Sequence, residues 1–168
     1  WLPMGRKLVT VATDCDLTGH VKGWPSLDAL ALADVDRDAL LDYCRRSANP
    51  VGRLLLHLYQ EATLTNEAYS DAICTSLQLI DFWQDVAKDY AIGRIYLPQG
   101  EMARFGVTEG HIAEGRADAA WRELMQFQVQ RARGMMKDGA PLGSILTGRI
   151  GLEMRLIIAG GNRILDKL

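Results

Sequence analysis

The sequence predicts an all-α fold, and three observations support this prediction. Apolar residues recur every three or four positions over long stretches, which is the spacing of one face of an α-helix. No stretch alternates apolar and polar residues for long enough to predict a β-sheet. Glycine and proline cluster between the periodic stretches, where they end helices. Together these features predict a helical bundle.

The first predicted helix starts at Asp36, whose side chain can cap it. It bends at Pro50, because proline lacks the N–H that the interior of a helix uses. Its apolar positions follow a helical rhythm: Leu40, Cys44, Ala48, Val51, Leu55 and Leu58. The sequence therefore predicts one long helix with a kink.

The second predicted helix begins at a cap formed by Thr65 or Asn66 and runs to about Ile92. The glycine-rich stretch that follows, residues 93–115, predicts a connecting region with one or two short helical turns.

Two more helices are predicted in the last third of the chain. The first covers about 117–137 and ends at the dipeptide 138–139. Pro141 and Gly143 then form a turn, and the last helix runs from about Arg149 to Lys167.

The composition is that of an ordinary globular protein with one core, since 48% of the 168 residues are hydrophobic and 24% are charged. The net charge of −2 and the lack of a large basic cluster predict no nucleic-acid partner. No apolar stretch approaches the roughly 20 residues that span a bilayer. Three widely spaced cysteines, Cys15, Cys44 and Cys74, indicate reduced thiols and a cytoplasmic location.

Three aspartates on the second helix, Asp81, Asp85 and Asp89, are candidate metal ligands. Four residues advance a helix by about 400°, so the three carboxylates share one face over roughly 12 Å. Like charges at this spacing repel, and hard oxygen ligands suit Mg²⁺ on a diphosphate. The alternative is a solvated acidic stripe. It fits less well because Phe82 and Trp83 interleave with the acids.

The residues around this acid row predict a phosphate site. Gln78 lies one turn before Asp81 on the same face. Gly93 is predicted to end the helix and to place Arg94 beside the carboxylates, where its guanidinium can bind phosphate oxygens. Tyr96 can add a hydroxyl group.

At these residues the sequence resembles the squalene and phytoene synthase family, whose second aspartate-rich motif is followed by a basic residue and an aromatic one. Residues 85–89 and 93–98 supply that pattern, and Tyr43 to Gly52 match the family's tyrosine-bearing helix. The segments that start at Gly139 and Ala159 are similar to the family's last helices.

The resemblance covers most of Arg37 to Leu168 and implies the isoprenoid synthase fold, a helical bundle around a central cavity. The family's other aspartate-rich motif, of DDxxD or DDxxE type, has no match. We therefore expect a partial chain that lacks N-terminal helices, with residues 1–35 as an uncertain segment and residues 36–168 as the C-terminal part of one domain. The fragment alone is expected to be inactive.

The resemblance also implies roles for individual residues, with Mg²⁺ as cofactor and a prenyl diphosphate as substrate. The implied metal ligands are Asp81, Asp85 and Asp89; the implied substrate contacts are Gln78, Arg94, Tyr96, Val51 and Leu55. Tyr43 corresponds to the family's catalytic tyrosine, and the alternative is an aromatic side chain that only packs.

Within the family, the stretch Ser47 to Gly52 is similar to bacterial hydroxysqualene synthases of hopanoid synthesis, which convert presqualene diphosphate and water to hydroxysqualene and diphosphate. Ser47 and Asn49 are then catalytic candidates that hold the attacking water in an apolar wall. The alternative is that both satisfy backbone carbonyls freed by the kink at Pro50.

Two other functions stay open at this point. One is head-to-head condensation of two prenyl diphosphates, as in squalene or phytoene synthesis. The other is a non-catalytic assembly factor of the same fold. The implied hydrophobic substrate also leads us to expect peripheral contact with the inner membrane, and other hopanoid-pathway enzymes are expected partners.

Overall fold

The computed structural model describes residues 36–168, and the predictions made for residues 1–35 lie outside this part. The described part contains helices and no strand, which confirms the all-α prediction. The helices are α1 (Arg37–Ser47), α2 (Asn49–Leu58), α3 (Leu64–Ala91), α4 (Gln99–Arg104), α5 (Glu109–Ala113), α6 (Ala119–Gly139), α7 (Leu142–Ile145) and α8 (Gly148–Leu165).

The predicted long, kinked helix is present as two helices, α1 and α2, that meet at Ala48. Asp36 caps α1 as predicted, and its side chain accepts a hydrogen bond of 2.7 Å from the Ala39 amide. The break has a simple cause, since Pro50 has no N–H to donate to the carbonyl of Arg46. Proline is tolerated in the first turn of α2, where amides lack helical partners.

The predicted cap of α3 is wrong by two or three residues, because Thr63 and not Thr65 or Asn66 occupies that position. The Thr63 hydroxyl accepts a hydrogen bond of 3.1 Å from the Asn66 amide. The Asn66 side chain donates instead to the carbonyl of Glu61, at 2.8 Å. Thr63 has the extended backbone that a capping residue needs, whereas Thr65 and Asn66 are already helical.

Replacing Thr63 with alanine is expected to lower the free energy of unfolding by about 1 kcal/mol, since the cap is lost. Thr65→Ala is the matched control, because Thr65 is exposed within the first turn and is expected to change stability by less than about 0.5 kcal/mol. Urea denaturation followed by circular dichroism measures both. Equal losses for the two variants would contradict the assignment of the cap.

Helix α3 lies against α2, α6 and α8 and is the centre of the described bundle. Small residues let its neighbours approach closely. The Ser76 hydroxyl donates to the Ala132 carbonyl of α6 at 2.7 Å. A Cβ at Gly52 of α2 would lie 2.3 Å from the Ser70 hydroxyl oxygen and 2.6 Å from the Cys74 sulfur. Helix α3 is therefore held on two sides by contacts that leave no space for larger side chains.

The connecting region holds the two short helices α4 and α5, which confirms the prediction for residues 93–115. The sequence assigned no role to His111, but the structure buries it. Its Nδ1 accepts a hydrogen bond of 3.1 Å from the Thr108 amide, and its Nε2 lies 3.2 Å from an Asp118 carboxylate oxygen. Asp118 also caps α6 through the Trp121 amide, so His111 joins α5 to the start of α6.

The last two predicted helices are confirmed as α6 and α8. The predicted turn is present at Ala140 and Pro141, and the short helix α7, which contains Gly143, follows it. In the part of the chain that the structure describes, no helix combines the length and the apolar character needed to cross a membrane.

Candidate active site

The acid row lies on one uninterrupted helix, as the sequence predicts, because α3 continues from Leu64 to Ala91. Asp81 is exposed, while Asp85 and Asp89 are partly buried. Solvent exposure is therefore highest at Asp81, and the two aspartates nearer the C-terminal end of α3 are more shielded. Lys88 on the same helix places its Nζ 2.5 Å from a carboxylate oxygen of Asp85.

The pKa of Asp89 depends on the charges of the other two aspartates in the row. Partial burial raises the pKa of Asp89, and the negative charges of Asp85 and Asp81 raise it further. Arg94 and Lys88 oppose the rise but do not cancel it. The end of α3 thus has an excess of negative charge that a further cation would relieve.

The acid row fits Mg²⁺ held jointly with a ligand better than a site made by protein alone. Among residues 36–168, no three His, Cys, Asp or Glu side chains are close enough together to hold a metal ion. Mg²⁺ commonly binds one or two carboxylates and takes the rest of its shell from water and phosphate. Carboxylates one turn apart, such as Asp85 and Asp89, suit that arrangement.

Asp89→Asn is expected to raise stability at neutral pH. The pKa of Asp89 is above its ordinary value in the folded protein, so its ionised form costs folding energy once both states are ionised. Below the ordinary pKa of an aspartate both states are protonated, and the gain is expected to vanish. Unfolding measured across this pH range tests the sign, and a variant less stable than the parent at neutral pH would contradict it.

A sharp turn after α3 brings Arg94 back to the acid row, which confirms the predicted role of Gly93. The residue Gly93 has φ +78°, a conformation that glycine adopts without strain. The Arg94 amide then donates to the Asp89 carbonyl at 2.8 Å. This contact places the Arg94 guanidinium close enough to Asp89 to oppose the rise in the pKa of that carboxyl group.

Aromatic side chains from three parts of the chain meet beside the acid row. The ring of Tyr96 stacks on Phe82 with a centroid distance of 4.1 Å, and Tyr43 of α1 lies 6.0 Å from Phe82. Tyr96 is only 4% exposed, and burial raises its pKa to about 12, although Arg94 lies near enough to oppose the shift. Its hydroxyl oxygen is buried near the Arg94 guanidinium, and among the described residues no acceptor takes its proton. The hydroxyl of Tyr96 therefore keeps an uncommitted donor beside Arg94.

Ser47 and Asn49 make different contacts from those considered in the sequence. The Ser47 hydroxyl donates to the Tyr43 carbonyl at 2.9 Å, one turn back along α1. The alternative interpretation concerned the Arg46 carbonyl, to which Pro50 cannot donate, whereas Ser47 bonds to the Tyr43 carbonyl. Asn49 is buried, and its side-chain oxygen accepts a hydrogen bond of 3.0 Å from Thr75 of α3. Sequence spacing gave no signal for Thr75, because the two residues are far apart in the chain.

The three remaining candidates, Gln78, Val51 and Leu55, differ in how far they are exposed to solvent. Gln78 is partly buried, one turn before Asp81. Val51 and Leu55 of α2 are 59% and 39% exposed. An apolar surface of this kind suits a wall of a cavity, and that role stays a prediction for both residues.

A model of the squalene/phytoene synthase family matches residues 16–168, which include the acid row, the turn at Gly93 and the Tyr43 helix. The chain belongs to the squalene/phytoene synthase family. The fold and the family that the motifs predicted are thus confirmed.

Relatives within the squalene/phytoene synthase family differ in their reactions. A hydroxysqualene synthase from Rhodopseudomonas palustris is 35% identical over 144 residues, which cover 84% of this chain and 49% of that protein. A phytoene synthase from Arthrospira platensis is 38% identical over 109 residues, which cover 57% of this chain and 35% of that protein. Identity alone therefore does not separate the two reactions.

A solved squalene synthase, HpnC from Alicyclobacillus acidocaldarius, has a similar structure, with a TM-score of 0.74 and 37% sequence identity. The match covers 78% of this chain and 50% of that one. The chain spans about half the length of these relatives, with 49% of the Rhodopseudomonas palustris protein and 50% of the solved chain covered.

Proposed function

We propose that the whole protein is a hydroxysqualene synthase that converts presqualene diphosphate and water to hydroxysqualene and diphosphate. One observation supports this proposal most directly. The acid row and Arg94 lie at one end of α3, next to an aromatic cluster of Tyr43, Phe82 and Tyr96. The longer match to a hydroxysqualene synthase than to a phytoene synthase supports the choice of reaction.

Asp85 and Asp89 would hold Mg²⁺ together with the substrate diphosphate, and Asp81 and Gln78 would extend this polar face. Bound Mg²⁺ supplies Lewis-acid chemistry that favours departure of diphosphate. Arg94 binds diphosphate oxygens and neutralises their growing charge as the carbon–oxygen bond breaks. Asp89 keeps Arg94 beside the row, since the Arg94 amide is bonded to the Asp89 carbonyl.

The aromatic cluster would stabilise the carbocation that remains. The faces of aromatic rings attract cations, and this attraction is stronger away from water. Tyr43, Phe82 and Tyr96 would offer such faces within one cluster, in which Tyr96 stacks on Phe82 and Tyr43 is tilted against Phe82. The pKa of Tyr96 at about 12 keeps its hydroxyl protonated at neutral pH, so it can donate to the leaving diphosphate and cannot act as a base.

Ser47 and Asn49 would guide the water that captures the carbocation. The Ser47 hydroxyl uses its proton on the Tyr43 carbonyl, so its oxygen can accept a hydrogen bond from water. The Asn49 side-chain oxygen already accepts a hydrogen bond from Thr75, so Asn49 would bind the water through its amide N–H groups. The water oxygen attacks the carbocation, and the released diphosphate accepts the proton.

The test is incubation of the full-length protein with presqualene diphosphate and Mg²⁺, followed by identification of the triterpene. Hydroxysqualene is the expected product, and removal of Mg²⁺ with EDTA is expected to stop its formation. Squalene as the sole product would contradict the proposed reaction.

Head-to-head condensation of two prenyl diphosphates is the second candidate, because the phytoene synthase match has the higher identity. It predicts consumption of farnesyl or geranylgeranyl diphosphate in the absence of presqualene diphosphate. The same assay with these substrates separates the two reactions, and failure of every substrate would favour the non-catalytic assembly factor.

A further inference from the structure

The loop that carries Arg94 and Tyr96 leads directly into α4, and a partly buried carboxylate of α4 binds side chains of α6. Glu101 of α4 accepts hydrogen bonds from Arg131 at 3.0 Å and from the Gln128 side chain at 2.6 Å. A second guanidinium N–H of Arg131 contacts the other oxygen of Glu101, which makes the ion pair two-pronged. This form is the most directional of carboxylate contacts.

The surroundings show that this contact is not an ordinary surface pair. The side chains of Glu101 and Arg131 are each only 16% exposed, and Gln128 is fully buried. Burial acts to raise the pKa of Glu101, but the hydrogen bonds from Arg131 and Gln128 outweigh it and hold the pKa below its usual value. The Arg131 guanidinium also lies 4.8 Å from the centre of the Phe127 ring. Both charges are thus held in one geometry.

At its start the loop is held to α3, because the Arg94 amide donates to the Asp89 carbonyl and the Tyr96 ring stacks on Phe82. At its other end the polar contacts are those of Glu101, which stands seven positions after Arg94 and five after Tyr96. A rotation of α4 on α6 would therefore shift one end of the short stretch that carries both side chains.

We propose that Glu101, held by Arg131 and Gln128, is a positioning residue that sets the affinity for the diphosphate group by fixing the loop that carries Arg94. This inference rests on the proposed function, which assigns diphosphate binding to Arg94. Arg37 at the start of α1 also lies near enough to lower the pKa of Glu101.

The test is Glu101→Gln in the full-length protein, a change that keeps the side-chain volume but removes the charge. Calorimetry with inorganic diphosphate and Mg²⁺ is expected to show binding weakened about tenfold, with the KM for substrate raised by a similar factor and kcat changed less. Arg131→Lys keeps the charge but loses the two-pronged contact and is expected to show a smaller change in the same direction. Unchanged diphosphate affinity in both variants would overturn the proposal.

Glu153→Gln is the matched control, since Glu153 pairs with Arg149, an exposed side chain on α8. It makes the same chemical change and is expected to leave diphosphate binding as it is. An equal loss in Glu153→Gln would mean that the effect is general and would also overturn the proposal.

A double-mutant cycle separates positioning from a structural role. If Glu101 acts mainly through Arg94, then Glu101→Gln is expected to weaken diphosphate binding much less in an Arg94→Ala background than in the parent protein, with Tyr96 as the contact that remains on the loop. Losses that multiply would overturn the positioning role while leaving the role of Arg94 intact. An Arg94→Ala variant with full affinity would instead remove the phosphate contact on which the proposed function depends.

Discussion

Replacing Asp85 with alanine is expected to lower kcat/KM of the full-length protein for presqualene diphosphate by about a hundredfold, or about 3 kcal/mol of transition-state stabilisation. Asp85 lies in the middle of the acid row, so a cation bound to either neighbour would still involve it. Its removal would take away one proposed protein ligand of Mg²⁺ and so weaken retention of the ion that balances the charge of the departing diphosphate.

Steady-state kinetics over a range of Mg²⁺ concentrations measure this effect, and a higher Mg²⁺ requirement is expected in the variant. Asp138→Ala is the control, because Asp138 is an exposed aspartate near the end of α6. Full turnover by Asp85→Ala at the Mg²⁺ level of the parent protein would show that the acid row is not the metal site.

Gly139→Ala is expected to destabilise the bundle by about 2 to 3 kcal/mol, since α6 crosses α3 closely at this residue. A Cβ at Gly139 would lie 2.5 Å from a side-chain carbon of Ile73 and 2.6 Å from the backbone oxygen of Tyr69. A backbone atom cannot move aside as a flexible side chain can. The two helices would have to separate, and the packing below the acid row would loosen.

Gly134→Ala provides the comparison within the same helix. Gly134 is exposed, and apart from the backbone of its own helix and its two neighbours in the chain no described atom lies within 4 Å of the position of its missing Cβ. This change is expected to stabilise α6 by about 0.5 to 1 kcal/mol, because alanine has the higher helix propensity. Urea unfolding of both variants is the measurement, and equal effects at the two glycines would contradict the close crossing.

Local patterns predicted the long helices and the acid row correctly. Periodicity in residues 64–91 depends only on neighbours along the chain, and so does the placement of Asp81, Asp85 and Asp89 on one face. The turn at Gly93 was also predictable, since a glycine after a helix permits positive φ. Boundaries were less accurate, because Thr63, Thr65 and Asn66 are all chemically able to cap.

Contacts between distant parts of the chain left no local signal. Thr75 meets Asn49 across 26 positions, and Arg131 meets Glu101 across 30. In each case the sequence shows a polar residue on a helix, which usually indicates a solvated position. The partner that makes burial acceptable is supplied only when two helices pack together.

The sequence by itself determined the helical class, the row of carboxylates with Arg94 behind it and, through its motifs, the family. Only the tertiary structure decided that Tyr43, Phe82 and Tyr96 meet beside that row and that Glu101 of α4 pairs with Arg131 of α6. The reason is physical. Helix periodicity is set by hydrogen bonds four residues apart, whereas the choice of partner across the bundle depends on how side chains far apart in the chain fill the same space.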